Sequence, residues 1–445
     1  MDDTMPDNPS KPDGPRKTAK IKKSFVGRAF STARLSGRLG IGAARKLLNT
    51  GDMDPEKAVK IATKLVNEFD GMKGLMMKFG QMASYLGTHM PPEARELLAQ
   101  LQSNSTAMEF SLVRHIVEQE LQAPIEECFD DFQEEAFAAA SIGQVHKATV
   151  NGRPVAVKVQ YPDIDRLLAM DLKLVGNLFT LFMMGTNMPG KAMAEELRDR
   201  ILEECDYENE AHNQLTIRNL CENTSEEHIP DVLLSHSSRR VLTTELVQAT
   251  DFQTFCRTAD QETRNRAGLI IFRHTMNAIF RHCYFNGDPH PGNYLFHADG
   301  RVTFLDFGCI KKFELSYIER WKQMARSVIE QDKAANYEAT DAMGLIGNKK
   351  SFDHDFHWDM INHVYTPFKT DGIFCYSHEH NAETNKLMLW DNKNKFSAAM
   401  PSDFLFINRL QWGLAAVLAD LNACNRYGPV FREAVYSEAV PLFKN

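Results

Sequence analysis

The sequence predicts an α+β fold in which a block of strands lies between two helical regions. Residues 125–160 alternate apolar and polar positions, as strands do, around a turn at Asn151-Gly152. Residues 55–102 instead repeat their apolar residues at helical spacing. After residue 248 the pattern is mostly helical, apart from a loop-and-hairpin stretch at 285–310. Helices and strands therefore occupy separate segments, as in α+β proteins.

The individual elements follow from the spacing of apolar residues and from prolines. Two helices within 55–102 each carry one apolar stripe, and two prolines end the second: Ala58, Ile61, Ala62, Leu65 and Phe69, then Leu75, Phe79, Met82 and Leu86, then Pro91 and Pro92. A long polar helix is predicted from about 192 to 219, and short strands near 232–234 and 240–247. The strand-forming residues thus lie mainly in the middle of the chain.

Composition limits the class of protein. The 445 residues suffice for two or three domain-sized units. With 51 Lys and Arg against 59 Asp and Glu, the formal charge is −8, which disfavours nucleic-acid binding because phosphate contacts need positive surface. The eight cysteines include no CxxC pair. Zinc ribbons and disulfide frameworks are therefore not expected, and a reducing, cytoplasmic compartment is.

Two segments are candidates for contact with a membrane surface. Residues 1–15 are rich in Pro and Asp and are predicted to be disordered, whereas residues 16–50 hold ten Lys or Arg and no acid, with apolar residues between them. This basic segment suits an anionic membrane surface, and a solvated tail is the alternative. No segment reaches 18 uninterrupted apolar residues, so no transmembrane helix is predicted. The nearest, Leu174 to Met184, is interpreted as core packing or as a surface patch.

The hairpin around Asn151-Gly152 is the first candidate for nucleotide binding. A two-residue turn there places Lys158 opposite Val145. Ala156 and Lys158 then share one face of the strand, while Val155, Val157 and Val159 take the buried face. A lysine beside a small apolar residue, under a cross-strand valine, suits a purine and its phosphates. A lysine on an edge strand in water is the alternative.

The hairpin around Asp299-Gly300 is the second candidate. A two-residue turn places Asn293 opposite Asp306, with Cα atoms about 5 Å apart. An amide oxygen and a carboxylate at that separation can bind a hard cation such as Mg²⁺. Just upstream, Asp288 is held in a loop by Pro289 and Pro291, because prolines exclude helix there.

An acidic stretch is the third candidate. Residues 203–210 are predicted to form one helix, in which Asp206 and Glu210, and likewise Glu204 and Glu208, are like-charged neighbours. Such a cluster needs cations if it faces inward, and Lys158 and Lys78 are the two candidates. A solvated run of charge is the alternative.

Together these motifs resemble the protein-kinase-like superfamily, and more narrowly the UbiB family of atypical kinases, the AarF-domain proteins. The resemblance covers about residues 70–310 with specific motifs. It implies a two-lobed fold, with a small β-rich N-lobe, a helical C-lobe and an N-terminal helical extension that covers the cleft. The corresponding segments are a tail at 1–50, the extension at 51–124, the N-lobe with a helical insert at 125–247 and the C-lobe at 248–445.

The resemblance also implies a role for each motif residue. Lys158 matches the lysine that holds the α- and β-phosphates, and Glu210 the glutamate that positions it. Asp288 matches the catalytic aspartate, Asn293 the metal-binding asparagine and Asp306 the metal-binding aspartate of the DFG motif.

Nucleotide contacts are implied at three further places. Ala138-Ala139-Ala140-Ser141 stands where protein kinases have a glycine-rich phosphate loop, and this loop is implicated in nucleotide preference, ATP or ADP. Val145 and Ala156 would border the base. Thr244 to Val247 resembles the hinge, whose backbone would bind adenine at Glu245 and Val247.

Two signatures distinguish the family from ordinary protein kinases. Lys78 to Gln81 forms the KxGQ motif, and Glu204 with Asp206 forms the ExD motif. The family arrangement implies that Lys78 meets these acids, with a regulatory role for Lys78, Gln81, Glu204 and Asp206. Asn286 stands two residues before the catalytic aspartate, where histidine is usual, so the resemblance does not carry a backbone-bracing role to this position.

The function implied is an ATP- and Mg²⁺-dependent atypical kinase or ATPase that supports isoprenoid-quinone (ubiquinone) biosynthesis at a membrane surface. Its implied partners are the nucleotide, an anionic membrane or isoprenoid lipid, and a quinone-biosynthesis complex. The acceptor is open among water, a lipid, a small molecule and a protein, although the 55–102 helices would obstruct a protein. One alternative is a small-molecule phosphotransferase of the aminoglycoside or choline kinase type. Another is a nucleotide-gated lipid-binding scaffold without significant turnover.

Overall fold

The helices and strands form a small β-rich lobe followed by a larger helical lobe, which confirms the predicted α+β, two-lobed class. The computed structural model describes residues 107–140, 142–166, 168, 202–221, 225–286, 289–399 and 401–443. The predictions for the tail and basic segment within 1–50, for the helices within 55–102 and for the patch at 174–184 lie outside these residues.

Short strands alternate with helices of one to five turns. The strands are β1 (Asp131–Phe132), β2 (Ala138–Ala140), β3 (Gly143–Val150), β4 (Arg153–Gln160), β5 (Glu227–His228), β6 (Val241–Glu245), β7 (Thr250–Asp251), β8 (Tyr284–Asn286), β9 (Tyr294–Phe296), β10 (Val302–Phe304), β11 (Ile310–Lys312), β12 (Phe374–Cys375) and β13 (Cys424–Asn425). The α-helices are α1 (Phe110–Leu121), α2 (Ile125–Cys128), α3 (Tyr207–Cys221), α4 (Phe252–Thr258), α5 (Gln261–Phe280), α6 (Leu315–Ile329), α7 (Lys333–Ala342), α8 (His354–Val364), α9 (Thr366–Lys369), α10 (His378–Asn385), α11 (Ser402–Asp420) and α12 (Tyr427–Tyr436). Turns of 3₁₀ helix lie at Leu234–His236 and Pro291–Asn293, and a π-helical turn at Lys386–Trp390.

The first lobe is built on a five-stranded sheet with the order β1-β3-β4-β6, in which β2 also pairs with β3. The predicted register of the first hairpin is confirmed, because Val145 faces Lys158. Asn151 and Gly152 both have positive φ, as a two-residue hairpin turn requires. Val155, Val157 and Val159 are buried against helix α1, whereas Lys158 lies on the opposite face of β4.

The second hairpin differs from its prediction by one residue. Phe304 faces Tyr294 in the β9–β10 pair, so the residue opposite Asn293 is Leu305 and not Asp306. The cause is a longer turn, in which Gly300 has a φ of +83° and donates its N–H to the carbonyl of His297. A three-residue loop with glycine in the left-handed region shifts the pairing relative to a two-residue turn. Asp306 therefore lies beyond the strand, in the loop after β10.

The acidic stretch does not form one helix, which corrects a second prediction. Helix α3 begins at Tyr207, and Glu204 lies before it in a turn. The carboxylate of Asp206 instead accepts hydrogen bonds from the backbone N–H groups of Glu208 and Asn209, both at 3.1 Å. An aspartate at this position caps the helix and compensates its dipole. The expected like-charged pairs along one helix are therefore absent from this part of the chain.

Three element boundaries also differ from the predictions. Residues 125–128 form helix α2 rather than a strand, with Glu126 and Glu127 in its first turn, where acids are favourable. The predicted strand at 232–234 is reduced to one bridge between Val232 and Thr244. Within the predicted 192–219 helix, residues 202 and 203 are helical, residues 204–206 interrupt the helix, and α3 then extends from residue 207 to 221.

The second lobe is organised around helix α5, which begins at the N-cap residue Asp260 and is buried along much of its length. At Gly268 the helix touches the β13 region so closely that an added Cβ would lie 2.6 Å from Ala423. Strand β8 follows directly at Tyr284 and leads into the loop that carries the candidate catalytic residues. Burial of α5 thus fixes where that loop starts.

A disulfide joins Cys375 on β12 to Cys424 on β13, with Cα atoms 4.0 Å apart. The sequence analysis expected no disulfide framework, and this pair departs from that expectation. They are 49 residues apart in sequence, and only the antiparallel pairing of their strands places them opposite each other.

Candidate nucleotide site

An ion pair between Lys158 and Glu210 lies at the centre of the candidate site. The Lys158 Nζ atom is 2.9 Å and 3.1 Å from the two carboxylate oxygens of Glu210. The Glu210 side chain is 2% exposed and that of Lys158 19%. Strand β4 supplies the lysine on its unburied face, and the first turn of α3 supplies the glutamate. The contact implied by the resemblance is thus present, while its catalytic role stays a prediction.

Burial and charge act in opposite directions on this pair. Burial opposes the charge of Lys158, but the nearby Glu210 and Asp306 carboxylates outweigh it and raise the pKa of the ammonium. Burial also raises the pKa of Glu210 to about 7, although the Lys158 charge opposes this shift. The ammonium is therefore a fixed positive charge, held by a carboxylate with little access to water.

Tyr207 forms one wall beside the ammonium, and the sequence analysis did not single it out. The Lys158 Nζ atom lies 4.8 Å from the centroid of the Tyr207 ring, which is fully buried. An aromatic face at this distance attracts a cation. Tyr207 is three residues before Glu210 on α3, so both fall on one side of the helix. That spacing is the signal that could have identified it.

The DFG segment is fixed by hydrogen bonds to its backbone. Gly308 donates its N–H to the Asp306 carboxylate at 3.0 Å. Asn213 of α3 donates its side-chain N–H to the carbonyl of Phe307 at 3.1 Å. Asn286 donates its side-chain N–H to the backbone carbonyl of Asp306. Asn286 therefore braces this segment. The resemblance to the family did not imply this role, because histidine is usual at that position.

The Asp306 carboxylate borders the ion pair directly. The position that a Cβ would take on Gly308 is 3.3 Å from a Glu210 oxygen and 3.5 Å from an Asp306 oxygen. The two carboxylates therefore line the same small region, with the Lys158 ammonium on one side. Any larger residue than glycine at 308 would contact both carboxylates.

The backbone of Asn293 lies beside the residue that precedes Asp306. Asn293 ends the 3₁₀ turn Pro291–Asn293, and its backbone carbonyl accepts the N–H of Leu305 at 3.0 Å. Leu305 directly precedes Asp306, so the two predicted metal ligands are adjacent although they are not strand partners. Asp288, the predicted catalytic residue, lies outside the described residues.

The sheet face beside Lys158 carries the residues predicted to contact the nucleotide. Ala138 faces Val145, and Val145 faces Lys158, so these three form one row across β2, β3 and β4. Ala156 lies one row further along β4, opposite Thr244 of β6. Ala138 and Ala139 are exposed and Ala140 is half-buried. Ser141, the last residue of the predicted phosphate loop, is outside the described residues.

The predicted hinge begins at the end of β6. The Glu245 N–H donates to the carbonyl of Asp231 at 2.9 Å, and the Leu246 N–H donates to Pro154 at 3.2 Å. Val247 follows outside any strand and is half-buried. The backbone is thus anchored at Glu245 and Leu246, within the segment where adenine was predicted to bind.

The predicted regulatory residues are only partly within the described chain. Glu204 is buried, and Asp206 caps helix α3. Lys78 and Gln81 lie outside the described residues, so the contact of Lys78 with the two acids stays a prediction.

A cavity of about 120 Å³ lies in the helical lobe, away from Lys158. Its walls are mostly apolar and include Met276, Phe280, Trp321, Phe368, Leu414 and Phe431. Polar side chains, among them His378 and Asn381, line the same cavity.

Among the helices within the described ranges, none has both the length and the hydropathy to cross a membrane.

Comparison with known proteins agrees with this geometry. The model of the ABC1 atypical kinase-like domain matches residues 100–340. The mitochondrial atypical kinase COQ8 of Saccharomyces cerevisiae is 26% identical over 370 residues, which are 80% of this chain and 73% of the yeast protein. The probable serine/threonine-protein kinase abkA of Dictyostelium discoideum is 27% identical over 340 residues, 73% of this chain and 59% of that protein.

A solved structure gives the same fold. The complex of Rv3197 with erythromycin from Mycobacterium tuberculosis superimposes with a TM-score of 0.62 at 25% identity, over 81% of this chain and 92% of that one. The matched family model covers more than half of the chain and includes Lys158, Glu210 and Asp306. The chain therefore belongs to the ABC1 atypical kinase-like family, the UbiB group of kinase-like proteins.

Proposed function

We propose that the protein is an ATP- and Mg²⁺-dependent phosphotransferase or ATPase that supports isoprenoid-quinone biosynthesis at a membrane surface. The family supports a kinase-type activity in general terms. The observation that carries the finer proposal is the buried pair of Lys158 and Glu210 beside the braced Asp306. A fixed ammonium beside a carboxylate, with the backbone of Asn293 next to the DFG segment, supports the binding of a nucleoside triphosphate.

Lys158 is the residue proposed to bind the phosphates. Its ammonium is held by Glu210 in one orientation, so little reorganisation is needed when an anion arrives. The neighbouring Asp306 would repel a phosphate on its own. A cation between that carboxylate and the phosphate removes the repulsion, which is why Lys158 alone does not complete the site.

Asn293 and Asp306 fit a magnesium ion by the chemistry of their donors. Both offer oxygen ligands, which hard cations prefer, and the hydrogen bond from the Gly308 N–H fixes the direction of the Asp306 carboxylate. When bound, Mg²⁺ would neutralise charge on the phosphates. The chain itself orients the ligands, because Asn286 and Asn213 hold the segment that carries Asp306.

The base is proposed to lie against Val145 and Ala156, with its polar edge toward the backbone of Glu245 and Val247. The small side chain of Ala156 leaves room for a ring on this sheet face.

Asp288 is proposed to orient the attacking hydroxyl or water. The acceptor stays open among water, a lipid, a small molecule and a protein.

The apolar cavity in the helical lobe favours the second candidate function, a nucleotide-gated lipid-binding scaffold. Aromatic and aliphatic walls around about 120 Å³ suit part of an isoprenoid chain. The same cavity is compatible with an enzyme whose acceptor is a lipid. Turnover distinguishes the two, because a scaffold binds ATP without significant hydrolysis or transfer.

The test is an ATPase assay on the full chain, with and without Mg²⁺ and with and without anionic liposomes. The wild type is expected to hydrolyse ATP only with Mg²⁺ and faster with liposomes, and Lys158→Ala to lose at least ~10²-fold of the activity. Lys333→Ala, which removes an exposed cation of helix α7, is the matched control and should retain it. Equal activity in Lys158→Ala and wild type would reject the site.

Radiolabelled ATP then identifies the acceptor. Label in a lipid fraction supports lipid phosphorylation, label in small hydroxylated compounds supports the small-molecule phosphotransferase, and label in a protein partner would overturn the expectation against protein substrates. ATP binding with no turnover under any condition would favour the scaffold.

A further inference from the structure

A second cluster of metal-binding residues lies outside the nucleotide site, where three elements of the two lobes meet. Cys221 is the last residue of helix α3, Glu227 lies on β5 and His274 lies on helix α5. Cys221 is 9% exposed, and the side chains of Glu227 and His274 are 8% and 10% exposed. Three groups of this kind are rarely buried together unless they bind one another or a cation.

The distances among the three groups are close to those of a metal site. His274 Nδ1 is 2.9 Å from Glu227 Oε2, and Cys221 Sγ is 3.4 Å from the same oxygen. All three ligand atoms lie within 4.8 Å of one another. Ligands of a tetrahedral zinc ion are about 3.3–3.7 Å apart, given zinc–ligand bonds of about 2.0–2.3 Å. Small side-chain rotations are therefore enough to admit an ion.

The donor set selects the kind of metal. A thiolate and an imidazole suit a borderline-soft ion such as Zn²⁺, whereas Mg²⁺ prefers oxygen ligands alone. We propose that Cys221 Sγ, Glu227 Oε2 and His274 Nδ1 bind one Zn²⁺ or similar thiophilic divalent ion. This site is separate from the oxygen ligands Asn293 and Asp306 and does not depend on the function proposed for them.

Without an ion, burial and charge act on the protonation of the cluster. Burial opposes the charge of Glu227, but His274 outweighs it and lowers the pKa of the carboxyl. Burial raises the pKa of the Cys221 thiol, and the Glu227 carboxylate adds to this. Metal binding would displace the thiol proton to solvent and form the metal–sulfur bond, with no change of oxidation state. The bound ion, the thiolate and the carboxylate would then sum to no net charge.

A small cavity lies next to His274, although neither Cys221 nor Glu227 lines it. A cavity of about 20 Å³ is lined by His274, Asn286 and Asn293, among others, which is enough for one water. The His274 ring also stacks on Phe304 of β10, with centroids 4.1 Å apart. A metal bound here would therefore connect the end of helix α3 to helix α5 and to the strand that precedes the DFG segment.

Cobalt is the probe, because Co²⁺ replaces zinc and reports thiolate ligands by a charge-transfer band in the ultraviolet. The full-length protein is stripped of metal and titrated with Co²⁺. The expected result is a saturating thiolate band at one equivalent, reversed by Zn²⁺. Cys221→Ser and His274→Gln are expected to lose the band. Cys256→Ser, which removes a half-buried thiol elsewhere, and Asp306→Asn should both keep it.

A hydrogen-bonded triad without metal would give a different result. No thiolate band in the wild type, or an equal band in Cys221→Ser, would overturn the proposal. If Cys221→Ser does not fold, thermal unfolding decides the matter. Zn²⁺ should then raise the melting temperature of the wild type and of Cys256→Ser but not that of His274→Gln. An equal rise in all three would also overturn it.

Discussion

Breaking the pair of Lys158 and Glu210 should have unequal effects, depending on which partner is removed. Two unit charges about 3 Å apart attract by about 5 kcal/mol at an effective dielectric constant of about 20. Desolvation offsets much of this attraction, but removal of one partner leaves the other buried and unpaired. Glu210→Gln is therefore expected to lower the free energy of unfolding by about 3 kcal/mol.

Lys158→Met should cost less near neutral pH, because the remaining carboxyl can take up a proton. The pKa of Glu210 is already raised to about 7, and loss of the ammonium raises it further. A folded-state pKa above the unfolded value means that stability is greatest at low pH and is lost as pH rises. The stability of Lys158→Met should therefore fall from about pH 4.5 upward, as that of the wild type does, and should drop further below the wild type only above about pH 7, where the wild-type carboxyl has already ionised.

The assay is a double-mutant cycle by urea unfolding at pH 6 and pH 8. The double variant Lys158→Met/Glu210→Gln is expected to lose less unfolding free energy than the sum of the losses in the two single variants. The difference should be about 2–3 kcal/mol at pH 8. The exposed pair Lys349 and Asp341 is the matched control, and its coupling should be much smaller because water screens it. Additive losses at Lys158 and Glu210 would refute the buried pair.

Four further changes test the site and the fold. Asp306→Asn should lower Mg²⁺-dependent ATP turnover by at least ~10²-fold, since it removes a metal ligand, and unchanged turnover would reject the assignment. Ala139→Gly should shift the ratio of ATP to ADP affinity in calorimetric titrations, because glycine frees the hairpin backbone; an unaltered ratio contradicts this. Asn286→Ala should reduce the turnover number about 10-fold by removing the hydrogen bond to the Asp306 carbonyl, and Asn286→His should restore part of it. Burial lowers the pKa of His357 to about 4. The unfolded chain then binds the proton more tightly, so stability should fall by up to about 3 kcal/mol as pH drops from 6.5 to 4, and His357→Gln should flatten that slope.

The two hairpins differ in how far local sequence determines their pairing. Asn151-Gly152 is a two-residue turn whose geometry fixes the register of the flanking strands, so the position of Lys158 could be predicted. Asp299-Gly300 has the same type of sequence, yet the turn there is one residue longer. The strands around it are only three residues each, and their packing on other elements decides the register.

Contacts between distant segments explain most of what the sequence did not reveal. Asn213 binds the carbonyl of Phe307, which is 94 residues away, so no local pattern could identify the partner. The Cys375–Cys424 disulfide likewise depends on strand pairing late in the chain. Tyr207 was closer to detection, because it shares a helix face with Glu210. Such residues can be identified from the sequence only by asking which positions three or four residues apart lie on the same helix face.

Helix α3 contacts both the sheet of the first lobe and the DFG segment. Near its start Glu210 binds Lys158 of the sheet, and one turn later Asn213 binds the DFG backbone. Gln214 donates to the carbonyl of Pro230 at 2.7 Å, and Cys221 at its end meets Glu227. Displacing the helix outward would break these contacts together, including a buried ion pair that is costly to separate.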